Sequence, residues 1–320
     1  MTERNQIALK FVATHIALLP LLLFLSLALP KVGILFVPVA QTILFILFFA
    51  GYWEFSGIHF KWIYCLCIEF IIIGIGLILS FSGINDLPGL IELIIFVCLQ
   101  LYLFTILGKI LTVIFKNDRE KLEIEFPFQQ GTYLITDGGN SKISRLMNYH
   151  FHSVVHKKRG TNQSMLYATD VVKLKDKKLQ FLPKQNEDYP IFGEKVYSPM
   201  EGIVHKIVND IDDNLPFSGN YPYNTGNTIM IRNGNHYFLL GHLKKGSIVV
   251  QEGELIARNT FIAQAGNSGM SERPHLHMQL MKSETNDYWK RNGICIRYKA
   301  KNLYKNRLIK TDSLRPSPVP

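Results

Sequence analysis

Two histidines flank one leucine in the stretch "RPHLHMQL", residues 273–280 of this 320-residue chain. On a β-strand successive side chains point to opposite faces, so His275 and His277 share a face while Leu276 points away. A metal site built on strands needs imidazole and carboxylate ligands converging from different segments, and a catalytic zinc commonly takes three of them, leaving a fourth position for water. The candidates are the pair His275/His277, Asp170 in "YATD" (167–170), and one of His150, His152 and His156 in "NYHFHSVVH" (148–156). Taken singly each is weak, since an Asp at a strand end is usually a cap or turn residue and an HxH pair often binds nothing. No HExxH occurs in the chain, so a zinc-protease site of the helical type is unsupported, in or out of the membrane.

The segments that must position these residues read as strands. "SMLYATDVVKL", "EGIVHKIV", "NTIMIRNGNHYFLLGHL", "SIVVQEGELI", "TFIAQAG" and "PHLHMQLM" are short β-rich runs punctuated by Gly, Asn or Pro, the signature of an all-β barrel or sandwich. "RNGN" at 232–235 separates two of them and contains Asn-Gly, a hairpin turn signal. Residues 207–225, with their Asp, Asn, Pro and Tyr, read as a long loop near the site. Residues 116–135 form a charged linker that runs into the first strand, 136–301 the β domain, and 302–320 a basic, proline-ended, poorly ordered tail. "GNSG" (266–269) has no helix pattern after it, so its glycines are backbone devices and not a phosphate cradle.

Upstream the composition changes completely. Only five of the 35 basic and five of the 25 acidic residues lie before Phe115, so the net charge of +10 belongs to the C-terminal part. Four apolar runs near 11–29, 33–52, 62–82 and 88–107 are each about long enough to cross a bilayer as a helix. The breaks between them, "LPKVG", "EFSGIHFK" and "SGINDLPG", are turn-like. The first run has no small-residue cleavage site and is followed at once by another, which favours a multi-span anchor over a signal peptide. Glu69 lies inside the third run and is expected to face other helices. Cys65, Cys67 and Cys98 lie in these runs and only Cys295 in the remainder, so neither a disulfide framework nor a cysteine zinc site can be built. The basic charge suits anionic lipid, an anionic wall polymer or a solvated surface, and no nucleic-acid motif accompanies it.

Four stretches together resemble the M23 family of zinc metallopeptidases, the lysostaphin-type and LytM-like enzymes that cut peptide bridges in bacterial cell walls. They are "NYH" with "YATD", "FGEKVYSPMEGIVHKI" (192–207), "GNTIMIRNGNHYFLLGHL" (226–243) and "VVQEGELIARNTFIAQAGNSGMSERPHLHMQL" (249–280), in the family's order over 148–280. The resemblance implies an all-β domain, an M23-like sandwich/barrel hybrid with duplicated hairpins, behind an α-helical membrane domain of about four spans. It implies zinc held by His150, Asp170 and His277, with His242 and His275 as catalytic histidines. The family's first motif is a compact HxxxD, whereas His150 and Asp170 are twenty residues apart; His150 is favoured by its "NYH" context, with His156 next and His152 also competing. Asn259 stands where the family usually turns on glycine, and Asn tolerates the left-handed region. His205 and His236 match no site position.

The expected function is a membrane-anchored zinc endopeptidase acting on peptidoglycan cross-bridges. Its partners would be the wall peptide, the bilayer and other cell-wall proteins, with no nucleic acid. The alternative is an M23-like binding module that controls another wall hydrolase without turnover. Localisation pulls two ways. With four spans both termini share a side holding Arg4, Lys10, Lys61, Lys109, Lys116, Arg119 and Lys121 against Lys31 alone, which places the β domain in the cytoplasm. A wall substrate requires a multi-pass protein of the cell (inner) membrane with the domain outside, and that reading is preferred because the site match is residue-specific.

Overall fold

The structure is a computed structural model that describes residues 3–56, 58–81, 88–150, 155–156, 160–174, 182–218, 225–283 and 291–312. It divides into two compact units, Met1–Thr112 and Val113–Pro320.

The first unit is helical. Asn5–Ala28, Val32–Ala50, His59–Phe81 and Leu90–Phe115 are long and apolar enough to cross a membrane. The last runs eight residues past the expected end at 107, because Lys109 is a good helix former and a single charge does not interrupt a helix. Leu19, Leu23, Ala40, Leu44, Trp53, Ile68 and Ile72 pack together. Glu69 meets a neighbouring helix, accepting a hydrogen bond from Gln41 Nε2 at 2.9 Å.

The second unit is all-β, as its alternating runs predict. Its main sheet uses β1 (Gly131–Asp137), β2 (Thr169–Lys173), β3 (Gly202–Val208), β4 (Asn227–Asn233), β5 (His236–Leu243), β6 (Leu255–Ile256), β7 (Leu276–Lys282), β8 (Asn292–Gly293) and β9 (Leu308–Thr311). The order is β6-β3-β4-β5-β7-β2-β1-β9, with β8 also paired to β7. All these pairings are antiparallel. The "RNGN" turn closes the β4–β5 hairpin with Asn233 opposite His236 and Gly234 at φ 58°. Asn259 adopts φ 62°, the left-handed geometry expected of it.

Period-two alternation sends the large apolar side chains of these strands to one face. Ile229, Ile231, Phe238, Leu240, Leu276, Met278, Leu280, Val171, Tyr133 and Ile135 form the core with residues from two smaller sheets, Lys195–Tyr197 with Phe261–Gln264, and Lys121–Glu123 with Cys295–Tyr298 and Lys301–Asn302. The opposite face carries a small cluster of Met230, Tyr237, Leu239 and Met281 at one end. His277 and Gln279 of β7 belong to that second face, and the chemistry is built there.

Two expected boundaries move. The stretch 116–135 is more than a linker: Lys121–Glu123 pairs in parallel with Cys295–Tyr298, and Ile124, Phe126 and Phe128 are core residues, Phe128 stacking on Tyr133 with ring centroids 4.6 Å apart. The segment after Asn302 is also not a loose tail throughout, because Leu303 and Ile309 are buried and β9 pairs with β1. Its basic composition concealed two apolar anchors, Leu303 before the turn and Ile309 in the strand. Residues 313–320, the rest of that expectation, lie outside the described residues.

Candidate metal centre

β7 lies between β5 and β2, and its His277 stands opposite Gly241 on one side and Asp170 on the other. Directly opposed residues on one sheet face stand about 5 Å apart at Cβ, so strand pairing alone brings the carboxylate to the imidazole. His277 Nδ1 is 3.0 Å from Asp170 Oδ1. A side chain at position 241 would press on Thr225, its Cβ 3.2 Å from the Thr225 carbonyl oxygen, and would only touch His277, whose Cβ is 3.5 Å away.

His150 arrives from outside the sheet, its Nε2 3.2 Å from Asp170 Oδ2. Asn148 carries it there. The buried Asn148 amide donates to Gly139 O at 2.7 Å and Ala168 O at 2.8 Å, which ties the loop before β2 to the strand that bears Asp170. With both amide hydrogens spent, its Oδ1 receives the His150 backbone N–H at 3.1 Å and the His150 Nδ1 at 2.9 Å. Nδ1 therefore donates to Asn148, and Nε2 is the ring nitrogen that faces Asp170.

One ligand atom from each of His150, Asp170 and His277 lies within 4.8 Å of the others, so this group could hold a metal ion. His277 is buried, while His150 and Asp170 keep 15% and 14% of their side-chain surface exposed, leaving one open side. The donor set, two imidazole nitrogens and a carboxylate oxygen from separate segments, is one that zinc takes. His152 lies outside the described residues, as does the side chain of His156.

The other two histidines border this group. His275, just before β7, places Nε2 3.5 Å from Asp170 Oδ2, and its Nδ1 is 2.8 Å from the Arg273 carbonyl oxygen. His275 and His277 thus face the same carboxylate, as their spacing predicts. His242 does not follow its spacing. It is two residues past the core residue Leu240, so strict alternation would bury it in the apolar core. Instead the β4–β5 register shifts between Asn227 and Ile229, and His242 takes φ 57°. A bulge of this kind re-aims a side chain, and here it sets the His242 ring 4.6 Å from that of His275 and 5.7 Å from that of His277. The strained residue is held by Thr225 O, which accepts its backbone N–H at 2.8 Å, and by Ser268 O, which accepts from its Nδ1 at 2.7 Å. That leaves Nε2 as the free, lone-pair nitrogen.

Electrostatics sorts these groups. Burial alone would raise the Asp170 pKa, but the facing His150 and His275 and the hydrogen bonds from His150 and His277 hold it well below the usual carboxylate range. Burial would lower His150, yet the Asp170 charge and hydrogen bond, with help from Asp137, hold it above its ordinary value. Burial, then repulsion from His275 and His277, pushes His242 well below its ordinary value against the pull of Ser268 and Asp170. His275 is lowered by burial, with Asp170 opposing. The site thus holds an ionised carboxylate beside two imidazoles that are neutral at pH 7.

Residues 188–288 match the family model described as peptidase family M23. That stretch, about a third of the chain, is similar to M23 peptidase domains. Members of the family are zinc metallopeptidases, in keeping with the donor set above. The peptidoglycan DD-endopeptidase ShyA of Vibrio cholerae serotype O1 is 30% identical over 100 residues, which are 31% of this chain and 20% of ShyA. This chain therefore spans about a fifth of the curated relative that it matches. Among solved structures, a zinc-containing peptidase from Vibrio cholerae is 22% identical, with a TM-score of 0.30 over 52% of this chain and 37% of that one. The catalytic domain of lysostaphin from Staphylococcus simulans is 19% identical, with a TM-score of 0.27 over 40% of this chain and 75% of that one.

The M23 match contains His242, His275 and His277, while His150 and Asp170 lie upstream of it. Two residues that build this cluster, Asn148 and Ser268, carry no local signal in the sequence. Asn148 stands inside the quoted "NYH", but nothing local marks a carboxamide as the clamp on a following histidine. "GNSG" proves to be more than a turn, since its Ser268 holds His242 through the carbonyl and, through Oγ, receives the Asn227 N–H at 2.9 Å and donates to Leu243 O at 2.7 Å. His205 and His236 stand outside the cluster; His205 packs against Tyr237 with ring centroids 5.3 Å apart.

Proposed function

We propose that this chain is a membrane-anchored zinc metalloendopeptidase that hydrolyses peptide cross-bridges of bacterial peptidoglycan, with His150, Asp170 and His277 as the zinc ligands. The observation that carries the reading is the convergence of two imidazoles and a carboxylate within 4.8 Å, bordered by two further imidazoles. Zinc held there would polarise a scissile carbonyl and lower the pKa of a water toward about 7. His242 offers the lone pair of Nε2, because its Nδ1–H is committed to Ser268 O. His275 presents Nε2 at the same site, its Nδ1–H committed to Arg273 O. These two nitrogens accept a proton from the attacking water, or when protonated hydrogen-bond the oxyanion and return the proton to the leaving amine. The name of ShyA supports peptidoglycan as the substrate class.

The purified full-length chain in detergent should release peptides from cross-linked peptidoglycan, stop when a chelator is added and resume when zinc is restored. Zinc-loaded protein that binds peptidoglycan but cuts none of its peptide bonds would overturn the reading.

The first ligand is separable by substitution. His150→Ala should lose zinc and hydrolysis together, while His152→Ala and His156→Ala keep zinc and change at most substrate affinity. Zinc loss in the His156 variant with His150→Ala intact would move the first ligand to His156.

We place the M23 domain outside the cytoplasmic membrane, against the excess of lysine and arginine on its own side of the spans. A reporter that is active only outside the cytoplasm, fused after Phe115, should be active. An inactive, stably expressed fusion would put the domain in the cytoplasm and exclude assembled wall as the substrate.

A further inference from the structure

We infer that Gln279, oriented by Ser164 and Asn162, is a positioning residue that fixes which ring nitrogen of His277 faces the metal centre. The inference rests on the reading of His277 as a zinc ligand.

From Asn162 to Gln279 the hydrogen bonds run in one direction. Asn162 caps the short helix Gln163–Met165, its Oδ1 accepting the Ser164 backbone N–H at 3.1 Å. The same oxygen lies 2.6 Å from Ser164 Oγ and has no hydrogen to give, so the hydroxyl donates to it. Its one hydrogen spent, Ser164 Oγ meets Gln279 as an acceptor, and Gln279 Nε2 donates to it at 2.7 Å. The amide is thereby oriented, and Gln279 Oε1 is what faces His277 Nε2, at 3.4 Å. An acceptor there favours the hydrogen on Nε2, and zinc bound in the centre would take the lone pair of Nδ1, which lies 3.0 Å from Asp170 Oδ1. Asn162, Ser164 and Gln279 are all buried, so none can exchange its partner for solvent without cost.

Asn162 and Ser164 belong to the stretch between His150 and Asp170, where the compact HxxxD spacing has no room for them. The added residues do more than lengthen a loop: they return beneath β7 and orient the residue behind a ligand. His150 and His277 are then treated alike, each with a carboxamide oxygen on the ring nitrogen away from the centre, Asn148 for one and Gln279 for the other.

The test uses the full-length chain in detergent and measures zinc affinity by chelator competition. Partners of this kind typically contribute 10–100-fold in metal affinity, so Gln279→Ala should weaken zinc by about 10–100-fold. Ser164→Ala frees the amide to turn its NH2 group toward Nε2 and should also weaken zinc, although Gln279 is still present. Gln279→Glu keeps an acceptor at Nε2 and should match or exceed wild-type affinity. An amide that merely fills space predicts the reverse, because the new carboxylate would be buried. A second readout is the zinc-loaded protein labelled with [15N]-histidine. The His277 Nε2–H should be protected from exchange in the wild type and in Gln279→Glu, and lose that protection in Gln279→Ala. If Gln279→Ala does not fold, Ser164→Ala and Gln279→Glu decide alone. Wild-type affinity with a protected Nε2–H in the alanine variants, or weakened zinc in a folded Gln279→Glu, would overturn the inference. His277→Ala separates the two levels: if it keeps zinc the ligand reading fails, and if it loses zinc while the Gln279 and Ser164 variants behave as wild type, only the positioning role fails.

Discussion

Asp170→Ala should empty the metal centre, taking zinc from about one per chain to almost none and hydrolysis to background. Two losses coincide in this variant. A ligand oxygen disappears, and so does the carboxylate that faces His150, His275 and His277 at 3.2, 3.5 and 3.0 Å. Without that anion the three imidazoles lose the charge that draws a cation among them. Asp170→Asn separates the effects, since it keeps the shape and an acceptor oxygen but not the charge, and it should bind zinc more weakly than the wild type while still folding. Metal content of the purified variants, with circular dichroism as the check on folding, decides the matter. Full zinc occupancy in Asp170→Ala would remove Asp170 from the ligand set and leave the centre to be sought elsewhere.

Substitution of His242 should separate chemistry from metal binding. The proposed ligands His150, Asp170 and His277 do not include it, so zinc should remain, while hydrolysis falls by about 10²-fold or more, the scale on which proton-transfer and oxyanion groups act. Because His242 has φ 57°, alanine there would add backbone strain to the loss of the imidazole. His242→Asn is the cleaner variant, since asparagine tolerates the left-handed region. It should keep zinc and wild-type thermal stability and lose turnover; wild-type hydrolysis by a zinc-loaded His242→Asn would remove His242 from the mechanism. His275→Ala is expected to behave in the same way.

What could be read beforehand follows from how far each signal reaches along the chain. The strands carrying Asp170 and His277 show in alternation, a signal contained within a few residues, and "RNGN" and Asn259 announce their turns in the same local way. The pairing of His275 with His277 is a consequence of strand periodicity alone. His242 could be named only through its resemblance to a motif, because its alternation points into the core and the bulge that turns it out depends on Thr225 and Ser268 across the fold. Asn148 and Gln279 are less legible still. Each is a carboxamide whose importance lies in which of its two ends faces a histidine, and that is set by carbonyls and a hydroxyl remote in sequence. The edges of the domain were hidden by charge: Phe126 and Phe128 sit among acidic and basic neighbours, as do Leu303 and Ile309, and only packing reveals that they belong to the core.

The pairing of β9 with β1 bears on any attempt to produce the β domain without its helices. A truncation at residue 301, the domain end expected from the sequence, strips Leu308–Thr311 from Gly131–Asp137 and leaves a seven-residue strand with open hydrogen-bonding groups along one side. Exposed edges of that kind recruit other chains, so the shortened protein would aggregate for reasons unrelated to its active site. A start after Glu123 has a similar fault, because it removes the strand that shields Cys295–Tyr298. Expression boundaries for this domain are therefore set by its outermost strands, upstream of Lys121 and beyond Thr311, and not by the limits of its recognisable motifs.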